Sequence, residues 1–224
     1  MFSPCIANAN HQLDSYLDQF EYECQLADSY ATPLLKPKSR INVVFNSSCT
    51  RSIIPESGIG GYTYRPDFFT ITINDKKELL NGTMFATICH EMTHAVRWQR
   101  NSEWAGLLID EMVFEGMATY FEIQANKGHD FQLDYFAKTM YDTSDEENIR
   151  ILNILRDELF HPAVNYNGIF FGGVKERNLP RWSGYSAGYH IVKKYIERTG
   201  ELIGVAFVEP YKASQDFTEG LLPD

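Results

Sequence analysis

Residues 88–98 read Ile88-Cys89-His90-Glu91-Met92-Thr93-His94-Ala95-Val96-Arg97-Trp98, and this stretch decides how the rest of the chain is read. A helix turns about 100° per residue, so His90 and His94 share one face, one turn apart. Two imidazoles at that spacing can reach one small cation, and zinc accepts neutral imidazole nitrogens at about 2.0–2.1 Å. Glu91 sits near the same face, where a carboxylate can address a water on the ion without ligating the ion itself. With 6 histidines in 224 residues, the pattern is expected by chance in about 1% of such chains. Ile88, Cys89 and Val96 set the motif among apolar neighbours, so the helix reads as buried. Burying two imidazoles and a carboxylate is costly unless they share a task.

A catalytic zinc commonly has three protein ligands and one open position. Downstream, residues 107–123 read LLIDEMVFEGMATYFEI and place Glu111, Glu115 and Glu122 on roughly one helical face. Only one would ligate. Glu115 lies about twenty residues beyond His94, which leaves room for a loop and an antiparallel return helix. Gly116 beside it lets two helices approach closely. Glu115 is the expected ligand and Glu111 the alternative. Glu111 could instead orient a ligand histidine, pair with Arg97 or stay solvated, and Asp110 has the same ambiguity.

HExxH followed by EGxA on a second helix, here Glu115-Gly116-Met117-Ala118, resembles the gluzincin metallopeptidases, in which the Glu of the second motif is the third zinc ligand. The GxMEN motif of the aminopeptidases is absent, so that assignment is not supported. The chain is also similar to a bacterial family of predicted zinc-dependent proteases. Three stretches carry the likeness: residues 90–97, residues 115–121, and residues 179–189 (LPRWSGYSAGY). The segment GGYTYRPDFFTITIN at residues 60–74 adds to it. The resemblance implies a zincin-like α+β fold. Its small mixed sheet would pack an edge strand on the HExxH helix, and a mainly helical C-terminal part would follow.

Net charge is −10, and the only dense basic stretch, residues 36–40, is broken by Pro37. A nucleic-acid partner is therefore not expected. The N-terminus has neither a basic nor an apolar signal region, and no run of about 18 apolar residues occurs. A cytoplasmic protein with no membrane partner is expected, with a processed, secreted chain as the alternative. Cys5, Cys24, Cys49 and Cys89 show no CxxC spacing. Cys89 reads as a buried free thiol, and Cys5 and Cys24 could pair in an oxidising compartment.

Length suits a single catalytic domain over residues 1–224. It would comprise an N-terminal helical segment (1–38), the sheet and metal-binding helices (40–126), and a helical C-terminal part (127–224). Helices are expected over residues 10–30, from Thr83 as N-cap to Trp98, over 104–126, over 145–160, and over 184–198 with closure at Gly200. Residues 41–45 read as a strand, 55–61 as a glycine-bearing loop, 62–74 as a strand or hairpin, and 161–182 as a long loop. The strand at 68–74 is placed at the sheet edge, where zincins can add an extended peptide to the sheet.

These residues imply a zinc-dependent hydrolase of peptide bonds. Zn²⁺ held by His90, His94 and Glu115 lowers the pKa of a water, and Glu91 takes its proton and passes it to the leaving amine. Tyr185 is the candidate oxyanion donor, with Tyr189 second and His190 nearby; tyrosines one turn apart also simply pack together. The alternatives are a zinc-containing binding module without turnover and a hydrolase of a small non-peptide amide. His11, His129 and His161 stand outside any ligand spacing.

Overall fold

The computed structural model describes residues 3–6, 14–47, 53–74, 76–100, 106–162, 165–201 and 220. The expected helix start at residues 10–13, the side chain of Cys5, and His11 and Cys49 lie outside what is described. In chain order the elements are β1 (Ser3–Ile6), α1 (Asp14–Leu35), β2 (Asn42–Ser47), β3 (Ile59–Arg65), β4 (Phe68–Ile73), α2 (Thr83–Arg100), α3 (Leu108–Gly128), α4 (Tyr135–Asp142), α5 (Asp145–Leu155) and α6 (Ser183–Thr199). The architecture is α+β. The chain groups into two compact units. The first is Met1–Ser102 with Phe121–Lys138, and the second is Glu103–Tyr120 with Thr139–Asp224.

The first unit holds the sheet, in the order β1-β2-β4-β3. β1, β2 and β4 run parallel, and β3 runs antiparallel to β4, so the sheet is mixed. Residues 62–74 do form a hairpin, turning at Pro66 and Asp67. Because β4 pairs with β2, the first arm, β3, is the edge strand and β4 lies inside the sheet. The edge expected at 68–74 therefore belongs to β3, which begins at Ile59 and absorbs glycines expected in a loop. β1 carries no sequence alternation long enough to announce a strand.

Register explains the core. Val43 pairs with Phe69 and Phe45 with Ile71, and all four are buried. Successive side chains on a strand alternate in direction, so these share one face. Phe20 of α1 stacks on Phe45 with centroids 4.3 Å apart, marking this as the helix-covered face. Burying each such ring contributes about 1.5–3 kcal/mol. Tyr62, on the other face, is exposed.

α2 is buried nearly all round: Met84, Phe85, Ile88, Cys89, Met92, Ala95 and Val96 join the core, and the polar Thr83, His90, Glu91, Thr93, His94 and Arg97 are buried with them. Its first turn is not capped by Thr83, which lies inside the helix. The backbone N–H of Phe85 instead donates to the buried Glu23 carboxylate of α1 at 2.7 Å. Gln19 donates to the other Glu23 oxygen at 2.8 Å. Cys24 is free and buried, so the Cys5–Cys24 pairing is not adopted, and burial pushes its thiol up to about 12. Cys89 is the expected buried free thiol, and its pKa is likewise raised by burial.

In the second unit α5 starts at an N-cap, Ser144, whose hydroxyl accepts from Glu147 N at 3.2 Å. Ser186 on α6 donates to Asn148 on α5 at 2.8 Å, and Lys194 bonds Asp145 at 2.8 Å. The expected long loop at 161–182 contains a π-helical turn (Gly168–Gly172) and a 3-10 turn (Lys175–Arg177). α6 closes at Gly200, which adopts φ +66°. No helix among the described residues is long and apolar enough to cross a membrane.

Candidate metal centre

α2 presents His90 and His94 as its geometry requires, with ring centroids 4.8 Å apart at 77°. One potential ligand atom from each of His90, Glu91 and His94 lies within 4.8 Å of the others, and all three residues are buried. A buried set of two imidazoles and a carboxylate suits a borderline divalent cation such as Zn²⁺.

His90 is held from behind. Its Nδ1 lies 2.9 Å from Glu122 Oε2, and both side chains are almost wholly buried. A carboxylate on Nδ1 fixes the tautomer and turns Nε2 toward a cation. Burial pushes the Glu122 carboxyl up, while its bond to His90 pulls the other way. Glu122 reaches this place because aromatic packing docks the end of α3 and the residues after it on α1 and α2. Phe85 meets His129 at 4.8 Å and Phe131 at 5.6 Å, and Tyr30 meets Phe121 at 5.6 Å. His129 thus serves as a packing residue, and His161 sits exposed in a turn, its backbone N–H donating to Glu158 O at 3.0 Å.

Glu91 is held from the sheet side. Thr63 Oγ1 on β3 donates to Glu91 Oε2 at 2.7 Å and lies 3.1 Å from the Glu91 carbonyl oxygen. Gly61 points to the same side of the strand. A Cβ there would stand 2.5 Å from Glu91 Oε1 and 2.7 Å from Cδ, so only glycine leaves the carboxylate its place.

Glu115 and Tyr185 belong to the second unit, on α3 and α6. Glu115 is partly exposed, as is Glu111. Asp110 uses its carboxylate locally, accepting from Leu107 N at 3.2 Å at the start of α3. Gly116 does mark a close helix approach. A Cβ on it would stand 2.8 Å from Gly188 Cα, and a Cβ on Gly188 would run into the Met112 backbone. Tyr185 is buried against Phe170 and Phe171, with centroids at 5.4 and 6.0 Å. Tyr189 packs on Tyr120 at 5.9 Å, and burial raises its hydroxyl pKa. His190 turns Nδ1 to Asp145 at 3.3 Å, and burial lowers its pKa.

The sequence places Glu122 on the same helical face as Glu111 and Glu115, but the outer role is considered there only for Glu111 and Asp110, as one possibility among several. The spacing carried a clue: Glu122 lies two turns beyond Glu115, on the same stripe. Thr63 and Gly61 had no comparable signal, since nothing in the sequence ties a strand to a helix residue well downstream.

A family model described as "Predicted Zn-dependent protease (DUF2268)" matches residues 22–214. No curated protein and no solved structure matches the chain.

Proposed function

The chain belongs to the DUF2268 family of predicted Zn-dependent proteases, and from that premise we propose that it is a zinc-dependent hydrolase of peptide bonds, of gluzincin type. The observation that carries this reading is the buried His90–Glu91–His94 group, with Glu122 locking the first histidine. His90 and His94 would hold the ion, and Glu115 would supply the third ligand. The ion, when bound, supplies Lewis acidity that lowers the pKa of a water and polarises a carbonyl. Glu91 accepts the water's proton and delivers it to the leaving amine nitrogen. Tyr185 would donate a hydrogen bond to the developing oxyanion. An exposed edge strand beside Glu91 favours an extended peptide over a small amide, because β3 can offer its backbone as a ladder partner.

A second reading draws on the same distances. Glu91 falls within the 4.8 Å group, so it could itself be the third ligand, leaving a metal-binding module without a base. The Thr63 bond favours the base role, because it commits one Glu91 oxygen to the sheet. Glu91→Gln separates the two. Zinc content is measured alongside cleavage of a peptide library. The peptidase reading expects full zinc occupancy and lost turnover. Lost zinc would make Glu91 a ligand, and unchanged turnover would remove it from the chemistry.

A further inference from the structure

We propose that Thr63 is a positioning residue that sets the Glu91 carboxylate for proton transfer. The inference rests on the reading of Glu91 as general base and goes beyond it by naming what aims that base. A threonine hydroxyl has one proton to give. Of its two acceptors on Glu91, the carboxylate oxygen at 2.7 Å is nearer than the carbonyl oxygen at 3.1 Å, so the proton goes to Oε2. A bond from hydroxyl to carboxylate is charge-assisted and short, so it fixes the direction of the Glu91 side chain. Gly61 completes the grip from the same strand. It leaves no side chain where Oε1 and Cδ lie, so the carboxylate rests on bare backbone. One oxygen is thus tied to Thr63, and Oε1 is assigned to proton transfer.

Gly61 and Thr63 lie on the face of β3 that meets α2, while the backbone of β3 forms the sheet edge. The strand offered to a peptide is therefore the strand that aims the base. Removing the Thr63 hydroxyl leaves that backbone intact and changes the direction of the carboxylate. The expected effect falls on kcat and not on KM.

Thr63→Val keeps the side-chain shape without the donor, and Thr63→Ser keeps the donor. Both are made in the full chain and loaded with zinc. They are assayed on the best peptide from the library and crystallised without metal. Thr63→Val is expected to keep its zinc content and a KM within about twofold, and to lose roughly 10–100-fold in kcat, as for other partners that orient a site residue. Thr63→Ser is expected to restore kcat to within about threefold of the wild type. In the Thr63→Val crystal the Glu91 carboxylate should turn away from β3. An unchanged kcat, or an unchanged carboxylate direction, overturns the proposal. Equal losses in both variants that track a drop in melting temperature overturn it too, since Thr63 would then only join strand to helix. Absence of turnover in the zinc-loaded wild type counts against the peptidase reading alone, and the carboxylate direction then decides the role of Thr63.

Discussion

Replacing Glu122 tests whether the second carboxylate of the site governs its affinity for metal. The Glu122–His90 contact is 2.9 Å long and almost wholly buried, so little solvent competes for it. A buried hydrogen bond involving a charged group contributes about 1.5–3 kcal/mol, and removing an outer partner of a ligand histidine weakens metal binding roughly 10–100-fold. That factor equals about 1.4–2.7 kcal/mol, so the two scales agree. Glu122→Ala is expected to raise the zinc Kd by that factor, because the imidazole loses both its tautomer and its aim. Glu122→Gln keeps an oxygen able to accept from Nδ1 and loses only charge, so a loss of about fivefold or less is expected. The assay is zinc competition against a chromogenic chelator of known affinity, with each variant's melting temperature measured without metal. A Glu122→Ala protein that is folded and binds zinc within about twofold of the wild type would refute the reasoning. A Gln variant as weak as the Ala variant would show that charge, not orientation, is the active property.

Gly188→Ala must part α3 from α6, because its Cβ would stand 2.8 Å from Met112 C. A cost of about 3 kcal/mol is expected, seen as roughly 6–12 °C off Tm in calorimetry. Glu23→Ala strips the first turn of α2 of its cap and should cost about 1–2 kcal/mol, read by denaturant unfolding as a lower midpoint with an unchanged slope. His190, faced by Asp145, Lys193 and Lys194, is held neutral by burial, its pKa lowered from 6.5. The unfolded chain therefore binds a proton first as pH falls, and this contribution to stability is full above about 6.5 and declines below it. His190→Gln should flatten the fall in Tm between pH 7 and 5 on the scale set by that titration; an unchanged slope would assign the acid sensitivity elsewhere.

What the sequence disclosed divides by physical range. His90, Glu91 and His94 were legible because a helix fixes their geometry through spacing alone. The hairpin at Pro66 was legible because proline and alternation are local signals. Sheet order was not: which arm lies at the edge depends on the pairing of β4 with β2, a contact no local pattern encodes. The cap on α2 went to Glu23 and not Thr83 because a buried carboxylate from α1 reaches Phe85 N. Gly116 announced a close approach, but its partner, Gly188, emerged only from the packing of α6. Tyr185 and Tyr189 were read as candidate donors, and the structure finds both buried among aromatic rings, the packing role weighed beside it.

Anomalous diffraction at the zinc edge, from crystals grown with zinc, tests the account most directly. It predicts one strong peak at about 2.0–2.2 Å from a His90 nitrogen, a His94 nitrogen and a Glu115 carboxylate oxygen, with Glu91 standing off the ion. A peak ligated by Glu91 in place of Glu115, or no peak between His90 and His94, would contradict it.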